Sequence, residues 1–428
     1  MIFTPPPIYP EPAPRAGQKL DQSLQLARLK TSGSNTPDVI DVRVKPSEQA
    51  LQPGTSFKPL RLLLPQWRFN PGPYNAITDV PGVRVGHATV KQDSPHTLRT
   101  GVTAILPHNG NLARVGLWAA GSNLNGNGEM TGLAPLETFG VLNTPILLTN
   151  TFSVGAVHQG VHKYFQTRYP GQWGGQLPIV GECYDGFFNT IDDLSAVTPQ
   201  DAVAAIESAR GGPVEQGRVG AGTGMRSFEL HAGIGSASRK VMVDGKWYTI
   251  GVLLNANHSR LDVMNPFIRN ALEKRYGSLE TLRQKDSLDR AISSDKAKAE
   301  VSVQTKAPSF RPNPRSRQGS IITVIATDLP LNPTQLKQLA NRSALGVGAM
   351  GSTMDTTSGD FVVAFSTANP FTLGENSGAL LTSQTVHPDL LSPVYRATVE
   401  AVTEAQINAL QASHSNLPAP PILNDNVP

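Results

Sequence analysis

Around Arg317-Gln318-Gly319-Ser320-Ile321-Ile322-Thr323-Val324-Ile325-Ala326-Thr327-Asp328 the chain changes character within two residues. A charged, proline-bearing segment stops at Gly319-Ser320, and a run of β-branched residues follows at once and predicts a buried strand. A serine at the first position of such a strand, behind a glycine and a loose loop, suits self-cleavage. Breaking the Gly319–Ser320 bond would give Ser320 a hydroxyl and a free α-amine on one residue, a nucleophile with its own base. An ordinary loop-to-strand junction has the same appearance, and this stretch by itself favours that plainer reading.

Working outward, the segment before the junction, from Arg269 to Gly319, is rich in Lys, Arg, Asp, Gln and Ser. Pro308, Pro312 and Pro314 deny its last part regular structure, so 270–319 is expected to be a flexible linker. Upstream, Trp247 to Asn257 predicts a strand joined through an Asp244-Gly245 hairpin turn to Val241-Met242-Val243. Downstream, Asn332 caps a predicted helix that opens with Pro333, and Phe361 to Thr367 predicts another strand. Further strands are expected from Val83, Gly101, Val115, Pro145 and Pro178. Helices are expected over Ser153–Tyr169 and Thr198–Arg210, with a last one from Ser392 to about Leu410. Gly121 to Glu129, six of nine positions Gly or Asn, is expected to be a loop that carries backbone donors or turns a corner. Gly217 to Gly224 is dense in glycine but lacks the Lys-Ser/Thr of a phosphate loop, so phosphate binding is not expected. Residues 1–65, with Pro5-Pro6-Pro7 and Pro10-Glu11-Pro12, form a Pro-rich tail; 66–319 and 320–428 make two parts of one catalytic domain. Loosely alternating strands and helices with many hairpin turns predict a layered α/β protein with mixed sheets.

Composition narrows the class. Hydrophobic residues are 39% and net charge is +4, without the Arg/Lys-aromatic interleaving of a nucleic-acid surface, so no nucleic-acid partner is expected. The lone Cys183 allows neither an intrachain disulfide nor a cysteine zinc cluster, and no metal or organic cofactor is expected. No stretch is long and apolar enough to span a bilayer, and the N-terminus lacks a signal-peptide pattern. The expectation is therefore a soluble cytoplasmic protein with no membrane partner, although a periplasmic one is compatible with the sequence.

Several stretches, taken in order from about residue 70 to 405, resemble the family of L-aminopeptidase/D-esterases and β-peptidyl aminopeptidases. They are Thr78 to His87, Thr149-Asn150-Thr151 with Ser153-Val154-Gly155, and Glu182-Cys183-Tyr184-Asp185-Gly186. Gly220 to Met225, Asn257, Gly319-Ser320 and Ala326 to Leu331 complete the set. The resemblance implies a four-layer αββα sandwich similar to N-terminal-nucleophile hydrolases but with different connectivity. It also implies self-cleavage before the serine and a homo-oligomer of processed αβ pairs, often a tetramer. Ser320 then looks like the nucleophile and Asn257 like an oxyanion-hole donor. Ser358 and Asp360 look like partners that orient the Ser320 amine and hydroxyl, and Tyr184 lies near the reacting centre. Glu182 looks like the acceptor for the free amine of a small peptide, amide or ester substrate. Some members of the family have Glu where this chain has Asp360.

These assignments fit acyl-transfer chemistry. An α-amine titrates at roughly 7.7–8.0, against ~10.4 for lysine, so a neutral fraction able to accept the serine proton exists near pH 7. A carboxylate such as Asp360 beside the amine favours its cation, so burial must offset it or Asp360 must act by orientation. Asn255 competes with Asn257 as the strand-end donor. Two rival classes remain open at this stage: an acyltransferase of the ornithine acetyltransferase type, whose nucleophile is threonine, and a non-catalytic oligomeric binding protein.

Overall fold

The runs of β-branched and small apolar residues pair into two sheets. The first holds β1 (Arg84–Gln92), β2 (Leu98–Leu106), β5 (Ile146–Asn150) and β6 (Ile179–Cys183), in the order β1-β2-β5-β6. In the second the order is β13 (Phe371–Thr372), β3 (Val115–Gly126), β12 (Ser358–Ser366), β11 (Gly319–Thr327), β10 (Lys246–Asn257) and β9 (Gly233–Val243). A two-residue β4 (Val141–Leu142) pairs with β3, and β7 (Arg226–Ser227) with β8 (Leu230–His231) makes a separate ribbon. Both sheets are mixed: β5 and β6 run parallel, as do β11 and β12, while the other pairs are antiparallel. This is a computed structural model, which describes residues 67–172, 174–190, 193–287, 319–374 and 380–414.

Three cores stack the layers. On the outer face of the first sheet Val102, Ala104, Leu147 and Val180 bury against Val157, Val161 and Phe165 of α2 (Val154–Arg168). Ala202, Ala205 and Ile206 of α3 (Pro199–Glu207) complete that core. Between the sheets Ile105, Ile146, Leu148 and Ile179 meet Leu117, Leu253, Ile322, Val324, Val363 and Phe365. On the far side Leu254, Ile321, Ile325 and Val362 pack under Leu336 and Leu339 of α5 (Pro333–Ala349) and under Val394, Ala401 and Ile407 of α6 (Leu391–Ser413). The result is the expected αββα sandwich. All nine residues of β11 are buried, since its two faces supply different cores. A strand covered on both sides reads as a continuous apolar run without polar alternation.

Local signals fall where the sequence places them. Asp244 and Gly245, at φ of 49° and 72°, make the tight turn between β9 and β10. Asn332 Oδ1 accepts from Gln335 N at 2.9 Å while Asn332 N donates to Gln335 Oε1 at 3.2 Å, closing the start of α5. The glycine-dense stretch around Gly222 serves backbone packing: a Cβ there would stand 2.5 Å from both Gly217 O and Ile234 N.

Two expectations need correction. The segment 121–129 is not mainly a loop, because β3 continues to Gly126 with an irregular register opposite Asp360 and Phe361. The flexible linker does not begin at 270. α4 (Pro266–Tyr276) and a helical stretch over 279–287 bury Ile268, Leu272, Leu279 and Leu282 against the outer core. Charged residues on the exposed faces of these helices gave the stretch its loose texture. Packing also begins before Asn75, where Trp67 and Phe69 touch the outer core and Arg68 N donates to Glu400 Oε1 at 3.0 Å. The Pro-rich tail, and the linker over 288–318, lie outside the described residues. α1 (Leu133–Phe139) packs beside β3.

Candidate active site

Strand register gathers the site. Ser320 stands opposite Asn257 in the antiparallel β10–β11 pair and opposite Gly359 in the parallel β11–β12 pair. Alternation from Ile322 and Val324, and from Leu253, turns Ser320 and Asn257 towards the space between the sheets, because side chains two apart share a face. There β6 lies across β11: a Cβ on Gly181 would be 2.9 Å from Ile322 Cγ2. The next residues, Glu182 and Tyr184, reach the same end of the sandwich.

Ser320 is 2% exposed and its Oγ donates to the Gly319 carbonyl at 2.7 Å. That bond holds the hydroxyl against the carbonyl of the peptide bond that precedes Ser320. Asn257, fully buried, has both ends of its amide committed: Oδ1 accepts from Arg226 N at 2.9 Å and Nδ2 donates to Tyr184 O at 2.6 Å. Only one orientation of the amide satisfies a donor on one side and an acceptor on the other, and it leaves the second Nδ2 proton for a further acceptor. Asn255, the competing choice, lies two residues deeper in the sheet, and its Nδ2 donates to Ala221 O at 3.4 Å.

Glu182 is 3% exposed. Its Oε2 accepts from the Thr151 hydroxyl and its Oε1 from Glu129 N at 3.1 Å. Burial raises its pKa above the usual carboxylate value, the two donors pull it back, and the neighbouring Glu129 charge raises it again. A Cβ on Gly128 would come 2.7 Å from Glu182 Oε1 and 3.1 Å from Cα of Gly359, the residue paired with Ser320. The carboxylate thus stands close to the strand next to the nucleophile.

Ser358 and Asp360 form a unit of their own, with Ser358 Oγ donating to Asp360 Oδ1 at 2.6 Å. Burial lifts the Asp360 carboxyl to about 6, against hydrogen bonds from Ser358 and Asn125 that lower it. By alternation they lie with Val362 and Ala364 on the helix side of β12, opposite the face of Ser320. The structure therefore brings them beside the backbone at Gly319 and Ile321, their register partners, and not into a hydrogen bond with Ser320 Oγ. The expectation that they orient the hydroxyl is not met in the continuous chain.

Sequence reasoning missed four contributors. Asn125 Nδ2 donates to Asp355 O at 2.8 Å and Ser358 O at 2.7 Å, pinning the turn into β12. Thr151 and the Glu129 N–H hold Glu182, as above. Asp185, 1% exposed, accepts from Asn189 Nδ2 at 3.2 Å, and burial holds its carboxyl up at about 7. Asn125 and Thr151 were in view as parts of quoted stretches, but nothing in their spacing told which carbonyl or carboxylate they would meet. His258, beside Asn257, is kept neutral by burial, its ring pushed down to about 4. Its nitrogens face Ser259, Ser352 and Gln406 rather than Ser320. Among the described residues no group of three or more His, Cys, Asp or Glu is placed to hold a metal ion, and no helix is long and apolar enough to cross a membrane.

A serine at the head of a buried strand, an amide paired across from it and a buried carboxylate opposite, all on an αββα sandwich, define a serine aminopeptidase of the N-terminal-nucleophile type. The chain belongs to peptidase family S58, which it matches over residues 75–417. It is 38% identical over 350 residues to the β-peptidyl aminopeptidase BapA of Sphingosinicella microcystinivorans, covering 80% of this chain and 83% of that protein. Among solved structures it superposes on a Burkholderia sp. β-aminopeptidase with a TM-score of 0.66 and 34% identity, over 81% of this chain and 89% of the other. The L-aminopeptidase D-Ala-esterase/amidase of Ochrobactrum anthropi, described as a prototype for the serine aminopeptidases and a variant of the Ntn hydrolase fold, gives 0.67 and 35%, over 81% and 88%. The chain is accordingly a hydrolase.

Proposed function

We propose that this chain cleaves its own Gly319–Ser320 bond and then removes N-terminal residues from short peptides, amides or esters, β-peptides among them, through an acyl-enzyme on Ser320. The observation that carries the reading is the register that sets Ser320 directly opposite Asn257, with its Oγ 2.7 Å from the Gly319 carbonyl oxygen. In the first step Ser320 Oγ attacks the Gly319 carbonyl carbon. The C–N bond breaks as the nitrogen takes up a proton, and water hydrolyses the resulting ester to a Gly319 carboxylate and a free Ser320 amine. In turnover that amine takes the hydroxyl proton as the hydroxyl attacks the substrate carbonyl and returns it to the leaving amine or alcohol; water then hydrolyses the acyl-enzyme, freeing the N-terminal residue and restoring the Ser320 hydroxyl. The unused Nδ2 proton of Asn257 is the donor for the oxyanion. Glu182 accepts the substrate ammonium, since a buried carboxylate with only two donors retains acceptor capacity. Tyr184 fixes Asn257 through its carbonyl, and the Ser358–Asp360 pair flanks the peptide whose cleavage frees the amine. The working form is a homo-oligomer of processed αβ pairs, a tetramer by the resemblance to its family.

Purified protein run on a denaturing gel should give two fragments, the smaller beginning Ser-Ile-Ile-Thr-Val. Ser320→Ala should leave one band and no release of p-nitroaniline from aminoacyl p-nitroanilides. A single intact band with full activity would sink the mechanism.

A further inference from the structure

Glu182 is a carboxylate in an expensive position: burial disfavours its charge, and two donors oppose that penalty and aim it. Of its two donors, Glu129 N is backbone, and the other is the side chain of Thr151. Thr151 opens the single turn Thr151–Ser153 that leaves β5, the strand running parallel to β6 with Asn150 paired to Cys183. That turn is fixed from beneath. Asn150 Oδ1 accepts from Phe152 N at 2.9 Å, and Asn150 Nδ2 donates to Thr100 Oγ1 at 2.6 Å on the neighbouring β2. The hydroxyl therefore reaches Glu182 from a rigid turn. On the opposite side Gly128 leaves no room for a side chain between Oε1 and Gly359. The carboxylate is gripped by Thr151 on one oxygen and by the 128–129 backbone on the other.

We infer that Thr151 is the positioning residue of the amine subsite: its hydroxyl orients Glu182 and keeps it anionic for the substrate's ammonium, without touching the reacting carbonyl. This rests on the reading of Glu182 as the amine acceptor. A hydroxyl donor favours the charged form of a buried carboxylate, so its loss leaves burial less opposed and Glu182 protonates at higher pH. The neutral acid binds an ammonium poorly, so the defect falls on substrate capture. Once the amine is seated, acyl transfer proceeds on Ser320 as before.

The test is steady-state kinetics of Thr151→Val and Thr151→Ser on a free-amine aminoacyl p-nitroanilide from pH 5 to 9, with Glu182→Gln alongside. Rates are taken per cleaved chain. Thr151→Val should raise KM roughly tenfold or more with kcat nearly unchanged, as expected for loss of a hydrogen bond to a charged group used in ground-state binding. It should also move the acid limb of kcat/KM to higher pH, and Thr151→Ser should restore both. If Thr151→Val does not accumulate as folded protein, Thr151→Ala carries the same comparison. A raised KM in Glu182→Gln with an unchanged KM and acid limb in Thr151→Val overturns the role of Thr151 and leaves the amine acceptor standing. An unchanged KM in Glu182→Gln overturns the acceptor itself, and this inference with it.

Discussion

Asn257→Ala tests two roles of one side chain at once. The amide bridges Tyr184 O at 2.6 Å and Arg226 N at 2.9 Å, and so ties the end of β10 to the turn after β6 and to β7. Alanine removes both partners inside a fully buried site. With roughly 1–3 kcal/mol for each of the two buried groups left unsatisfied, the protein should lose about 2–6 kcal/mol of stability. Separately, loss of one side-chain oxyanion donor should lower kcat by about 10²–10³. Asn257→Asp keeps the shape and the acceptor for Arg226 N but sets an oxygen against the Tyr184 carbonyl, so it should be at least as unstable as Asn257→Ala. Stability is read from urea denaturation followed by tryptophan fluorescence. The rate is read on an aminoacyl p-nitroanilide under conditions where each variant is folded, per cleaved chain as counted on a denaturing gel. An Asn257→Ala enzyme with an unchanged urea midpoint would refute the structural half. One that is destabilised but keeps kcat within tenfold would refute the oxyanion role and return Asn255 to consideration.

Other outcomes follow from the same geometry. Burial holds the Asp185 carboxyl at about 7 against an ordinary 3.8, so the folded state keeps a proton that the unfolded state has already lost. Its stabilising contribution is therefore complete below about pH 4 and falls as pH rises through 7, by on the order of 4 kcal/mol. Asp185→Asn should raise the urea midpoint at pH 8 and flatten its dependence on pH between 4 and 7; an equal or lower midpoint at pH 8 would contradict this. A Cβ at Gly319 would stand 2.8 Å from Asn257 O and 3.2 Å from His258 Cα, both backbone atoms, so Gly319→Ala should slow self-cleavage in a pulse-chase gel. Cleavage at the normal rate would show that the junction tolerates a shift. Asp286 is 4% exposed, accepts from His231 N at 2.7 Å and meets His414 Nε2 at 3.1 Å. Asp286→Ala leaves these two buried donors without an acceptor, so it should cost about 1–3 kcal/mol for each and expose 279–287 to protease, whereas an unaltered urea midpoint would make the contact incidental.

How much of this was legible depended on range. β11 announced itself because both its faces are covered, which writes burial into consecutive residues from Ile321 to Ala326. The α5 cap and the Asp244-Gly245 turn were readable because their partners lie within three residues. The Gly/Asn run ahead of Gly126 was not readable as strand. Its residue types are poor strand formers, and pairing with β12, more than 230 positions away for Asn125 against Asp360, overrides that preference. The helix over 279–287 failed for a different reason. Its apolar residues are sparse, and its anchor, Asp286, is held by His231 and His414 from distant parts of the chain. In the site, the family resemblance singled out Ser320, Asn257 and Glu182, and strand register brings Ser320 and Asn257 side by side. The side on which Ser358 and Asp360 project was not legible, because a motif carries no face until its strand register is known.

In the mechanism proposed above, the nucleophile and the amine acceptor come from different sheets. Ser320, Asn257 and Gly359 lie side by side on the second sheet, whereas Glu182 lies near the end of β6 of the first and Tyr184 in the turn just beyond it. Within one sheet, neighbouring strands stand ~4.8 Å apart, which would crowd the carboxylate against the new amine of Ser320, favour its cation and remove the base. Stacked sheets sit ~10 Å apart, wide enough to seat a substrate's amine on one layer while its carbonyl meets the other. The close approach of Gly181 to Ile322 narrows that gap locally, and Gly128 keeps the carboxylate reaching into it from being pushed aside.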